Sequence, residues 1–246
     1  MAVKTPVAIM TEYPEKPLMY KSVSYSLFGF ALLPYVMTLL NLDFAVDYSQ
    51  LVWMDIVYHV INFGAAAILF AGYLRDGFLN VQIHTRQIIK TAAIGALIML
   101  ALTLCMAFVG LLLQNDFLAF GVLPIMEVEM FGTSGTMVLE KPVIGTVIVT
   151  LMAPFTISCL FYATVFASVS SERPKLAYVA MAAVLAVPRI VYALTFWSWV
   201  DELMLYLVQL PIHMVACRLY QKTDTVWTPI FALMAVNGIM CLLYLL

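Results

Sequence analysis

Charged side chains are scarce in this chain. Asp, Glu, Lys and Arg make up 11% of the 246 residues, whereas apolar types make up 64%. A soluble domain carries about 25% charged and 45–50% apolar residues. A water-soluble fold of this length cannot bury such an excess, so we expect the lipid bilayer to solvate it. The net charge is −2, and without a basic surface we expect no nucleic-acid partner.

Cysteine and histidine, the usual soft metal ligands, are also few. The four cysteines lie inside apolar runs without C-x-x-C spacing, which is typical of small buried side chains. The three histidines do not form the H-E-x-x-H pattern of a zinc protease. The sequence therefore predicts neither a metal site nor another cofactor.

Long continuous apolar runs are what the chain has in abundance. They do not alternate with polar residues, so they exclude a β-barrel and predict an all-α polytopic bundle. We expect one transmembrane domain over residues 1–246 with about seven helices. The spans are placed near 22–41, 51–74, 88–113, 143–169, 175–197, 199–218 and 226–246.

Basic and acidic connections alternate between these predicted spans. The N-terminal tail holds three lysines, the next connection holds Asp43 and Asp47, and Arg218 and Lys222 precede the last span. Because Lys and Arg of short loops stay on the cytoplasmic side, the pattern predicts a cytoplasmic N-terminus and an external C-terminus. We expect the protein to be integral to the plasma membrane.

Three polar residues of the predicted second span share one helical face. Asp55, His59 and Asn62 follow i, i+4, i+7 spacing. Ionisable groups inside a membrane are costly, which favours a proton relay, a ligand site or a partner-binding stripe. The alternative is that Asp55 lies near the outer interface while His59 and Asn62 hydrogen-bond a neighbouring helix.

Arg189 and His213 lie in the later predicted spans. Arg189 needs a partner if it is buried, and Asp55 or an acidic residue of the 114–142 connection is a candidate. Both a structural ion pair and a substrate anchor stay open for Arg189. We expect His213 to be a packing histidine that is satisfied by hydrogen bonds.

The last hundred residues carry three motif-like stretches. Residues 153–163, A-P-F-T-I-S-C-L-F-Y-A, resemble A-P-I-x-E-E-L-L-F-R-G. Residues 177–194 stand where an F-x-x-x-H helix is expected, and residues 220–237 resemble Y-x-R-T-G-S-I-W-A-P-I-L-A-H-A-x-x-N without a gap. On these stretches the chain resembles the bacterial CAAX-protease and bacteriocin-processing family, also called the Abi family. The resemblance implies an intramembrane glutamate-protease-like core.

The catalytic positions of that family are altered here. In the family, two Glu and two His are thought to activate a water, and an Asn assists the oxyanion. The corresponding positions are Ile157 and Ser158 for the Glu pair, Tyr162 for the Arg, Ala186 and Ile190 for the Phe and first His, Leu233 for the second His, and Asn237 for the Asn. Ile and Leu cannot accept a proton, so the resemblance implies a pseudo-protease without catalytic residues.

A pseudo-protease acts by binding. We expect it to bind and regulate or scaffold another integral membrane or membrane-anchored protein, with its former catalytic cavity either filled or open. The alternatives are a CAAX-type protease with relocated groups (Asp55, His59 or Glu127–Glu129), a bacteriocin self-immunity protein, and a transporter or accessory subunit. The transporter would use the polar stripe and Arg189 as its pathway.

Overall fold

The structure, a computed structural model, describes residues 48–112, 141–171, 173–196 and 199–245. These residues are almost entirely helical and contain no strand. The helices are α1 (Tyr48–Leu69), α2 (Ala71–Ile83), α3 (Thr85–Leu112), α4 (Pro142–Ser170), α5 (Pro174–Phe196), α6 (Trp199–Thr223) and α7 (Trp227–Leu245). The predicted all-α class is confirmed.

Three of the described helices are long and apolar enough to cross a membrane: Thr85–Val109, Pro142–Ser170 and Glu202–Thr223. The α1–α2 pair meets the same criterion when the two helices are taken together, which raises the number to four. Pro174–Val187 and Trp227–Leu243 are shorter apolar helices. The seven spans stay a prediction, and the first of them, near 22–41, lies outside the described residues.

Over the predicted span 51–74 the chain forms two helices rather than one. The chain bends by 76° between α1 and α2 at the buried Phe70. The bend is held from another helix, because Trp227 Nε1 donates to the Leu74 carbonyl at 2.9 Å. α2 is also the more polar of the two helices and exposes Arg75 and Asp76. Its direction is therefore set by long-range contact and polarity together.

Helix α4 is the centre of the described bundle. Every residue from 153 to 167 is buried, as expected for a helix surrounded by others. Its backbone widens into π-helix over Ile148–Met152 and again over Ser158–Phe166. Around it, α3 packs closely against α6: a Cβ at Gly95 would lie 2.4 Å from Leu219 Cδ1. Small residues at such crossings let helices approach.

Polar contacts gather several helix ends at one end of the bundle. Tyr73 Oη and Tyr220 Oη are 2.8 Å apart, and Tyr178 Oη donates to Gln221 Oε1 at 3.0 Å. We call this the basic end, because exposed Lys and Arg collect on the helices that meet there. These residues are Arg75, Arg86, Lys90, Arg173, Lys175, Arg218 and Lys222.

Candidate functional site

The polar stripe of α1 lies inside the protein. Asp55, His59 and Asn62 are all buried. His59 Nε2 lies 3.5 Å from Asp55 Oδ1, while Asn62 Nδ2 donates to the Tyr58 carbonyl one turn earlier at 2.9 Å. A buried carboxylate–imidazole pair can hold a proton or a positive charge away from water. Asn62 uses this donor within its own helix.

Asn237, which stands at the position of the Asn in the resembled motif, supports the first π-helical stretch. Its Nδ2 donates to the Val149 carbonyl at 2.9 Å, and Val149 lies in the π segment Ile148–Met152. A π segment disturbs the regular hydrogen bonding of an α-helix, so its carbonyls need other donors. Asn237 Oδ1 is buried and accepts no hydrogen bond from the described residues. The amide thus ties α7 to α4.

The second π-helical stretch holds a buried tyrosine–histidine pair. Tyr162 Oη lies 2.5 Å from His213 Nδ1, and both side chains are buried. Ser158 begins the same stretch, and its hydroxyl, also buried, has no hydrogen-bond partner among the described residues. The expectation that His213 is a hydrogen-bonded packing residue fits this contact. Local sequence spacing could not predict that His213 contacts Tyr162, which lies 51 positions earlier.

The motif positions fall in two different parts of the structure. Ile157, Tyr162 and Leu233 belong to one buried apolar cluster that includes residues of α4, α6 and α7. Ala186 and Ile190 do not join this cluster: they line a separate cavity on α5, where Ile190 is 49% exposed. The position of the first motif histidine, Ile190, is therefore apart from the cluster that holds Ile157 of the Glu-pair positions and Leu233, the position of the second histidine.

Arg189 finds its partners on the next helix rather than at Asp55. Its Nη1 lies 3.3 Å from Glu202 Oε2, and its Nη2 donates to Gln209 Oε1 at 2.9 Å. The side chains of Arg189 and Glu202 are 17% and 6% exposed. Because the α5–α6 connection is short, Arg189 and Glu202 lie at similar depths in antiparallel helices. The sequence could have predicted the ion pair from this short connection. All four acidic residues of the 114–142 connection, Asp116, Glu127, Glu129 and Glu140, lie outside the described residues.

The Arg189 pair borders a cavity of about 230 Å³ between α5 and α6. Its walls are largely apolar and include Ala186, Ile190, Ala193, Trp199, Leu203 and Tyr206. Tyr206 Oη is engaged with the Ala182 carbonyl at 3.0 Å. The cavity therefore offers an apolar volume with one ion pair at its wall.

Other sites are not evident in this part of the chain. Across the described ranges, no group of three or more His, Cys, Asp or Glu side chains is placed to hold a metal ion. Glu127 and Glu129, named above as relocated catalytic groups, fall in the undescribed 113–140 segment.

Comparison with known proteins adds no relative. No family model, no curated protein and no solved structure matches the chain. The likeness to the CAAX-protease and bacteriocin-processing family thus stays a prediction from the motif-like stretches.

Proposed function

We propose that this chain is a non-catalytic, intramembrane-protease-like protein that binds and regulates or scaffolds another membrane protein. One observation carries the proposal. Ile157, Tyr162 and Leu233 stand at positions of the resembled motif, and each is buried in the main apolar cluster. Peptide hydrolysis needs a water there and side chains that exchange its protons, and Ile and Leu supply neither. What the bundle retains is a surface for recognition within the membrane.

The same proposal includes seven spans in the plasma membrane and an orientation. The basic end carries seven exposed Lys and Arg residues, which favours the cytoplasmic side. α7 runs away from this end, because its first residue, Trp227, bonds α2 there. The C-terminus is then external, and an additional span before α1 returns the N-terminus to the cytoplasm.

Partner binding is tested by capture of the whole chain from its native membranes in mild detergent. We expect one integral or membrane-anchored protein to copurify stoichiometrically, and its amount or activity to change when the chain is deleted. Absence of a stoichiometric partner together with absence of a deletion phenotype would contradict the proposal.

A protease with relocated groups is the second candidate, and the buried Asp55–His59 pair favours it. The two side chains lie 3.5 Å apart. Catalytic hydrogen bonds are about 2.6–3.2 Å long and are often longer without substrate, so the carboxylate would orient an imidazole base once this gap closes. The variants Asp55→Asn and His59→Gln distinguish a scaffold from a protease. His84→Gln, at an exposed histidine, is the matched control. Scaffolding predicts unchanged peptide processing in all three. Loss of processing in the first two alone, at normal protein level, establishes the enzyme instead.

A further inference from the structure

The cavity between α5 and α6 has the dimensions of a chain-like ligand. Its volume is about 230 Å³. A helix, about 10 Å in diameter, cannot enter such a space, whereas a segment of an acyl chain can. The rim residues Ile190, Trp199 and Leu203 are about half exposed. Leu203 belongs to the candidate span Glu202–Thr223, so in a membrane the exposed rim would meet acyl chains.

The polar wall of the cavity distinguishes it from a simple gap between helices. Arg189 has five N–H donors, and Glu202 and Gln209 take one each from Nη1 and Nη2. Three donors remain without a protein acceptor among the described residues. Because Glu202 already balances the charge of Arg189, an uncharged acceptor suits this wall as well as an anion does.

The depth of Arg189 matches that of a lipid ester. It precedes Phe196, the last residue of α5, by seven residues, or about 10 Å along the axis. Trp199 on the rim is typical of the membrane interface, and each headgroup layer is about 5–7 Å thick. If α5 ends at the membrane surface, the guanidinium is at the depth where glycerol esters join the acyl chains.

We propose that this cavity binds one glycerophospholipid from the leaflet opposite the basic end. The acyl chain lies beside Ala186, deeper than Arg189 on α5, and the ester carbonyl accepts a hydrogen bond from Arg189. Binding is noncovalent and depends on the ester more than on the charge of the headgroup. This site is independent of whether the protein scaffolds a partner or cleaves a peptide.

The first test fills the cavity. Native mass spectrometry of the intact chain, released from detergent with added phosphatidylcholine, counts the retained lipids. We expect one tightly held lipid in the wild type and in Ala101→Phe, a matched change at an exposed alanine of α3. Ala186→Phe should lose it. Equal retention by Ala186→Phe, or none by the wild type, overturns the proposal.

The second test removes the carbonyl. An ether-linked phosphatidylcholine has the same chains and headgroup but lacks the ester acceptor. We expect it to bind about tenfold more weakly than the ester lipid, as for loss of one hydrogen bond to a charged group. The double variant Arg189→Met/Glu202→Gln, which stays neutral, should bind both lipids equally. Equal binding of the two lipids to the wild type, or a preference set by anionic headgroups alone, refutes the ester site.

Discussion

Two ion pairs of equal length allow the effect of burial on this protein to be measured. Arg189–Glu202 and Arg75–Asp76 both have N–O distances of 3.3 Å. The first pair is 17% and 6% exposed, and the second is 77% and 54% exposed. At 3.3 Å the gross attraction is about 5 kcal/mol for an effective dielectric constant of 20. Solvent screening leaves about 0–1 kcal/mol for an exposed pair.

The perturbation is a double-mutant cycle on each pair. Arg189→Met alone removes the cation that faces the buried Glu202, and we expect a loss of about 3–5 kcal/mol in the free energy of unfolding. Glu202→Gln alone should also destabilise, whereas the neutral double variant should recover most of the loss. Arg75→Met and Asp76→Asn, which form the exposed control cycle, should show coupling below about 1 kcal/mol.

The assay is reversible unfolding of the purified chain in mixed micelles, with SDS as denaturant and helical circular dichroism as the signal. Coupling is the difference between the double variant and the sum of the single variants. Additive effects at Arg189 and Glu202, or coupling no larger than in the exposed pair, would refute the argument that burial makes this pair matter.

Three further predictions concern packing, hydrogen bonding and pH. Tyr162→Phe should lower the free energy of unfolding by about 1–3 kcal/mol, because His213 loses a buried hydrogen bond, and the same SDS titration checks it against the exposed-site variant Ala101→Phe. Gly95→Ala should destabilise by up to about 2 kcal/mol, since overpacking against Leu219 outweighs the better helix propensity; Leu219→Ala in the same chain should relieve it. Burial raises the pKa of Asp224 above its ordinary 3.8, so ionisation of this carboxyl opposes folding as pH rises above about 4. Asn tolerates the positive φ of 49° at this position. Asp224→Asn should therefore raise the unfolding midpoint at pH 7 and have no effect below pH 4.

Sequence reasoning predicted the helices well where hydropathy decides them. The apolar runs near 88–113, 143–169 and 199–218 overlap α3, α4 and α6 because a bilayer-spanning segment must satisfy its own backbone hydrogen bonds. The bend at Phe70 was missed because Trp227 helps to hold it from more than 150 residues away. A local window contains no information about that contact.

The candidate site was predicted only where local helical periodicity determines it. The shared face of Asp55, His59 and Asn62 follows from helical periodicity alone, and all three are buried. Tyr162 and His213 meet only because α4 and α6 are neighbours, which spacing cannot indicate. The partners of Arg189 were missed although the short α5–α6 connection contained the clue.

The π-helical stretches of α4 have a consequence for the length of this helix among related chains. A π-helix closes its hydrogen bonds over one more residue than an α-helix does, so each stretch accommodates a residue that a continuous α-helix would not. Deleting one residue within Ile148–Met152 should restore α-helical hydrogen bonding there. The Val149 carbonyl would then no longer accept the hydrogen bond from Asn237. Homologues that lack Asn237 are therefore expected to have an α4 that is one residue shorter, and an alignment without gaps would place its buried positions on the wrong face.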